Sequence, residues 1–271
     1  MHWHPPEILV SLGSLEIRTY GVILAMAIGS AFLWGDRRAK NRGIDPQLAG
    51  DIFFWAIIGA LLGARLGFVL QEFGYFRDHL GEILAIWQGG LSFHGGLVGA
   101  LIAGLIFLRV KKQLALFWPL ADAAAAPLLL GAAIGRLGNW ANQELYGYPT
   151  TKPWAIVIDA AHRLPGFETF TTFHPTFAYE ALLNVLGILI LLFFIEKNQP
   201  LTATSYKLQA GRNFLFVLAW YSIARGITEI WRIGDRLVGP LSLAQLISIA
   251  MIILAGGLFF SIKKSVRGKG T

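Results

Sequence analysis

The residues 135–147, running from Gly135 to Gly147, close an apolar run with a turn that carries Arg136, Asn139, Asn142 and Glu144. An arginine at the end of a stretch such as Ala123–Leu137 is costly in hydrocarbon unless it faces protein, water or an anion, which makes it a functional candidate. A lone arginine there would be read as snorkelling to the interface. A second charged set follows in 220–232, where Arg225, Glu229 and Arg232 occupy i, i+4 and i+7 and would share one helical stripe. Glu229 can pair with either arginine, and the competing account is a structural ion-pair ladder that locks two helices together. With Arg65 and Arg136 expected at similar depth, positive charge exceeds negative, and the surplus calls for an anion. A phosphate-bearing lipid suits it, because a guanidinium offers a planar donor fork and stays charged.

Two other ionisable groups stand in apolar surroundings. His94 lies between the glycine pairs Gly89-Gly90 and Gly95-Gly96, a pattern that predicts a bent or re-entrant helix start bordering protein or a watery cavity. An imidazole there is neutral enough near pH 7 to accept a proton, and a hydrogen-bonding core role is the alternative. Glu180 falls one turn inside the run that begins at His174-Pro175-Thr176, where pairing with an arginine of another span is expected; Thr176 is placed to cap that helix and Pro175 to form its entry turn. Gly59, Gly63 and Gly67, Gly95 and Gly99, and Gly131 and Gly135 have the four-residue spacing of close helix packing.

These residues must be positioned by membrane helices. The chain is 55% hydrophobic and only 14% charged, with a mean hydropathy of +0.57, well away from a soluble domain. Seven apolar runs, 19–36, 48–70, 91–108, 114–138, 176–195, 213–232 and 240–262, predict an all-α seven-helix integral membrane bundle. They lack the alternation of barrel strands. Arg37, Arg38, Lys40 and Arg42; Arg109, Lys111 and Lys112; Lys197, Lys207 and Arg212; and Lys263, Lys264, Arg267 and Lys269 then share one side. The positive-inside rule makes that side cytoplasmic, with the N-terminus outside and the C-terminus inside. Basic loops of this kind bind anionic membrane lipids, so the net charge of +7 calls for no nucleic acid.

The opening Met1-His2-Trp3-His4-Pro5-Pro6 has no basic n-region, which argues against a cleaved signal peptide. The polar stretch 139–173 falls outside, with turns at Tyr148-Pro149 and Leu164-Pro165-Gly166 and a short strand expected within 154–158. No cysteine is present, so disulfides, a thiolate nucleophile and cysteine-ligated metal are excluded; any thiol must belong to a substrate. His2, His4 and Glu7 beside two prolines make a poor metal site, and no metal is expected.

On these residues the chain resembles the prolipoprotein diacylglyceryl transferases of bacterial inner membranes. The resemblance covers nearly the whole chain. It rests on 135–147, on Ser92-Phe93-His94-Gly95-Gly96, on His174-Pro175-Thr176 with Tyr179-Glu180, and on Arg225, Glu229, Arg232 and Asp235, four motifs in the right order. It implies one membrane-embedded catalytic domain, 1–271, with 139–175 forming a small extracytoplasmic head and the site facing that side. It implies a reaction between phosphatidylglycerol and the lipobox cysteine of a prolipoprotein signal peptide, with Tyr20, His94, Arg136, Asn139, Glu144, Gly147, Arg225, Glu229 and Arg232 lining or supporting the site; Asn142 and Glu180 join them as binding candidates. Tyr20 is otherwise an interfacial anchor. The chain departs from the family pattern at Gln143, where glycine is expected, at Phe177-Ala178 in place of Gln-Leu, at Gly226 in place of phenylalanine and at Ala244 in place of glycine. The outer head is also shorter.

The chemistry expected has His94 as general base for the substrate thiol, and Arg136 and Arg225 as clamps on the lipid phosphate. Glu229 and Arg232 orient Arg225, while Asn139 and Glu144 position the headgroup or peptide. Neither metal nor soluble cofactor is needed, because the lipid carries its own leaving group. An anion or lipid transporter would also place arginine–carboxylate pairs in its spans, but the chain has no evident internal repeat and seven spans divide badly into two. A structural lipid-binding assembly protein would have no use for His94.

Overall fold

The computed structural model describes residues 4–12, 15–86, 89–197, 210–234 and 237–267. Asp235, Arg236, Lys207, Lys269 and His2 therefore lie outside the described residues. The chain is mostly helical. Among the described residues, five helices are long and apolar enough to cross a membrane: Thr19–Asn41 (α1), Pro46–Gln71 (α2), Leu114–Ala141, Thr176–Glu196 and Leu243–Ile262. The α-helical parts of the last three are Phe117–Ala141, Thr176–Ile190 and Leu243–Arg267. The other two expected spans are shorter helices, Phe93–Val110 and Arg212–Thr228, of 18 and 17 residues. In chain order the helices from Phe93 onward are α3 (93–110), α4 (117–141), α5 (176–190), α6 (212–228) and α7 (243–267).

The chain divides into two compact units, residues 36–120 and residues 1–35 with 121–271. In the first, α2 and α3 cross with almost no side chain between them. A Cβ on Gly59 would lie 2.5 Å from the Gly99 carbonyl oxygen, and one on Gly67 3.0 Å from the Gly95 Cα; Gly63 meets the Gly95 oxygen closer still. Only glycine allows this approach. The expected packing role does not extend to Gly135, whose Cβ would meet open space, and at Gly131 the nearest atoms are at an ordinary 3.6 Å.

The expected irregular entry to the third span is present. Gly89 and Gly90 take φ of 86° and 70°, which a helix cannot continue. Ser92 then caps α3, its Oγ accepting from Gly95 N at 3.4 Å while its own N–H donates to Ala64 O at 2.8 Å.

Arg65 holds this entry from within. Its Nε donates to Ile83 O (2.7 Å), Nη1 to Gly89 O (2.9 Å) and Gly90 O (3.0 Å), and Nη2 to Glu82 O (2.6 Å). The guanidinium also stands 5.2 Å from the centre of the Phe76 ring. This corrects the expected surplus of positive charge: Arg65 is fully engaged by carbonyl dipoles and is not available to an anion.

In the larger unit the N-terminal residues form an antiparallel hairpin, Ile8–Leu12 (β1) with Leu15–Arg18 (β2), which runs directly into α1. The polar segment 139–175 contains Ile156–Val157 (β3) paired with Thr172–Phe173 (β4), inside the stretch where a strand is expected. Tyr146, Ile156, Ile158, Phe173 and Phe177 form its core. Tyr146 donates to His162 O (2.8 Å) and accepts from Leu164 N (2.6 Å), which fixes the loop above that core. Two histidine–carboxylate pairs tie the N-terminal residues to it, His4 to Asp159 (3.1 Å) and His162 to Glu7 (2.6 Å).

Candidate active site

The last turn of α4 and the loop after it supply the first part of a charged network. Arg136 donates through Nη1 to Asn139 Oδ1 (3.0 Å) and through Nη2 to Glu180 of α5, while Asn139 Nδ2 donates to Glu144 Oε1 (2.7 Å). The pairing expected for Glu180 with an arginine of another helix is therefore formed. Glu180 is almost fully buried, and the Tyr221 hydroxyl of α6 lies within electrostatic reach of it. Arg136 Nε is buried and has no protein partner among the described residues.

The Arg225–Glu229 pair is present at i, i+4, but the stripe breaks there. The α-helix ends at Thr228, Glu229–Trp231 form one 3-10 turn, and Arg232 is extended at φ −85°, ψ 139°. This corrects the expectation that Arg225, Glu229 and Arg232 share one helical face. The physical cause is a backbone junction: Arg232 forms a β-bridge with Gly147, and Tyr148 N donates to Trp231 O at 2.8 Å. The tighter turn points Arg232 into a narrow cleft shared with Arg136, Glu180, Leu145, Phe177 and Thr228. Among the described residues no hydrogen bond or ion pair engages the Arg232 guanidinium, although Arg225, Glu229, Arg136 and Glu180 lie within electrostatic reach. Among the described residues of this network three arginines (Arg136, Arg225, Arg232) accompany three glutamates (Glu144, Glu180, Glu229), so an anion would be received by this guanidinium and Arg136 Nε, not by a general charge surplus.

Gly147 is where three chain segments meet. A Cβ there would be 2.7 Å from Thr176 Cγ2 and 3.0 Å from His174 Cβ, and nearer still to Trp231 O. Its N–H donates to His174 O at 2.8 Å. Thr176 does not cap α5 as expected: its hydroxyl donates to Leu145 O, and the position before the helix is Pro175, which has no side-chain cap. Thr176 thus clamps the motif loop. Asn142 is half-buried and donates its backbone N–H to Gly138 O (3.0 Å). Tyr20 packs its ring against Gly138, where a Cβ would lie 2.8 Å from Cδ2. His94, on the unit 36–120, is exposed in the first turn of α3.

The departures from the family pattern have local explanations at two positions. Gln143 takes φ 51°, a conformation in which glycine is unstrained, and its side chain offsets the strain. Its amide donates to Asp159 Oδ2 (2.8 Å) and its carbonyl accepts from Asp159 N (2.8 Å). The Gln143 hydrogen bond, then His4, hold the Asp159 carboxyl below the usual carboxylate range. Phe177 is a core residue of the polar segment, with Ala178 packed beside it. Nearby, Trp154 donates to the Tyr179 hydroxyl (2.7 Å), which lies 2.9 Å from His174 Nδ1. Burial, with Lys152 adding to it, keeps His174 below the ordinary histidine range.

Tyr221 and Thr228 are the polar groups of this network that the motifs did not single out. Tyr221 is four residues before Arg225, and that spacing was the available signal.

The family model for prolipoprotein diacylglyceryl transferase matches residues 7–261. The chain belongs to that family. It is 39% identical over 252 residues to the phosphatidylglycerol–prolipoprotein diacylglyceryl transferase of Trichormus variabilis, covering 92% of this chain and 87% of the relative. The protein of the same name from Acaryochloris marina is 41% identical over 246 residues, 90% and 85% of the two chains. That of Gloeobacter violaceus is 37% identical over 267 residues, 97% and 95%.

Proposed function

We propose that this chain transfers the diacylglyceryl group of phosphatidylglycerol to the lipobox cysteine of a prolipoprotein; its relatives are named phosphatidylglycerol–prolipoprotein diacylglyceryl transferases. The observation that carries the reading is the cleft where, among the described residues, the Arg232 guanidinium and Arg136 Nε have no hydrogen-bond partner beside Glu180. Both cations suit a lipid phosphate.

In the proposed reaction His94 takes the proton of the substrate thiol, whose ordinary pKa of about 8.5 leaves little thiolate at neutral pH. The sulfur attacks the glyceryl carbon bonded to the phosphate oxygen. The C–S bond forms as the C–O bond breaks, and glycerol phosphate leaves with the electron pair. Arg136, Arg225 and Arg232 stabilise the charge gathering on the leaving oxygens. Glu229 orients Arg225. Asn139 holds Arg136 and Glu144 in one hydrogen-bonded row, from which Glu144 reaches the headgroup or peptide. Tyr20, Asn142 and Gly147 shape the wall.

The chain works as one seven-helix domain of the bacterial inner membrane, 1–271. Its N-terminus is outside, its C-terminus is cytoplasmic, and the head 139–175 and the site are on the outer side. The basic loops support this orientation. The relatives give the transporter alternative no support, since they are named as transferases. Incubation of the purified protein with phosphatidylglycerol and a lipobox peptide should yield a diacylglyceryl thioether by mass spectrometry. Unmodified peptide after prolonged incubation would refute the assignment.

A further inference from the structure

The face of α5 that carries Glu180 continues one turn further to Asn184. Thr176, Phe177, Glu180, Asn184, Gly187 and Ile188 are its buried residues. Asn184 is 0% exposed, and neither its amide nitrogen nor its oxygen has a hydrogen-bond partner among the described residues. A buried amide without a partner opposes folding, and such groups are rare enough to require a reason. The usual one in a membrane helix is a hydrogen bond to a neighbouring helix. No such bond is formed here.

Its neighbours along the helix bracket it. On one side stand Glu180, Arg136 and Tyr221. On the other, a Cβ at Gly187 would touch the Trp220 ring and come 3.0 Å from Leu129 Cδ1, while Trp220 Nε1 donates to Leu183 O at 2.8 Å. From that level the interior is apolar, with Leu129, Ile188, Leu191 and Val217 packed together. Along α5, Asn184 is thus the last polar side chain between Glu180 and this apolar cluster.

A glycerophospholipid has the same order of chemistry along its length: anionic phosphate, glycerol, ester carbonyls, then hydrocarbon. Four residues of helix rise about 6 Å, comparable with the reach of the glycerol backbone from phosphate to ester carbonyl. We infer that Asn184 forms an ester subsite, its amide N–H donating to an acyl-ester carbonyl of the lipid whose phosphate is held at the Arg136 level. The inference rests on the transferase reading above. Admitting the lipid breaks no hydrogen bond of the Asn184 side chain, because none is formed among the described residues. The ester bonds do not react, so the contact fixes the glyceryl carbon relative to the attacking sulfur and persists in the product.

The test compares diester phosphatidylglycerol with its chain-matched dialkyl-ether analogue, which lacks both carbonyls, each in phosphatidylcholine vesicles with a lipobox peptide. The parent protein should use the diester about three- to tenfold better in kcat/KM, the range of one lost hydrogen bond. Asn184→Leu should erase that preference by slowing the diester alone, and its Tm should equal or exceed the parent's because an unpaired amide is removed. Asn184→Ser provides a second, smaller variant should leucine not be accommodated. An unchanged diester-to-ether ratio in either folded variant, or a parent with no ester preference, overturns the subsite. If the parent forms no thioether from either lipid, the transferase reading fails and the subsite falls with it, a result distinguishable from a lost preference.

Discussion

Arg65 and Arg136 both sit within long apolar helices, yet the protein satisfies them in opposite ways. Arg65 makes four bonds to backbone carbonyls of a single neighbouring segment, residues 82–90. Those carbonyls cannot turn away without unfolding the entry to α3. Arg136 binds side chains, Glu180 of another helix and Asn139 of its own, and its Nε has no partner among the described residues. Side-chain partners can rotate to admit a ligand. Sequence position alone gives both arginines the same functional presumption in a membrane. The difference between them is the nature of the acceptor, fixed backbone in one case and exchangeable carboxylate in the other.

The sharpest test of this contrast lies in the unit that contains Arg65, where His94 is the residue proposed to do chemistry. His94→Gln should lower turnover by about 10²–10⁴ with Tm nearly unchanged. Raising the pH through the thiol pKa should restore part of the rate, since the substrate then ionises unaided. Near-parental turnover at neutral pH would shift the base role to Glu144 or Glu229.

Arg136→Lys comes next. It keeps the charge but not the two-pronged geometry, so kcat/KM should fall by about 10²–10³ while phosphatidylglycerol binding weakens and the fold persists. For Arg225 the companion test is the double variant Arg225→Gln with Glu229→Gln. Removing both charges should recover the stability lost in either single change, because no unpaired charge remains buried. Turnover should not recover, and transfer at close to the parental rate would reduce the pair to a structural ladder.

Arg65→Lys should show the reverse profile. One ammonium cannot reach all four carbonyls, so stability should drop by about 3 kcal/mol, seen as a lower Tm. Turnover per folded molecule should fall far less than in Arg136→Lys. A large loss of turnover at parental Tm would erase the distinction between the two arginines.

The smallest expected effect is at the N-terminal clasp. The folded Asp159 carboxyl is held below its ordinary range, so its contribution to stability is complete above the unfolded value of about 3.9 and is lost as the pH falls through the folded one. Hydrogen exchange of residues 4–18 should therefore quicken at acid pH, and Asp159→Asn should remove that dependence. Identical exchange profiles for the two proteins would show that the clasp does not depend on this carboxyl.

The sequence by itself determined the helical membrane class, the close-packing glycine faces of α2 and α3, the partnership of Glu180 with an arginine and the family. Each follows from composition, from a fixed spacing along one helix or from the four motifs together. Only the tertiary structure decided which arginine faces carbonyls and which faces carboxylates, because acceptors 17 to 44 residues away have no signature in local spacing. It also decided that Arg232 leaves the helical stripe, since the bridge to Gly147 demands an extended backbone just where periodicity would continue the helix. Gln143 follows the same logic. Its left-handed backbone is tolerated because the Asp159 contacts compensate for it, and those contacts exist only once the polar segment has folded back over the motif loop. Periodicity records which residues share a face, whereas the partner that completes each polar group is chosen when distant segments pack.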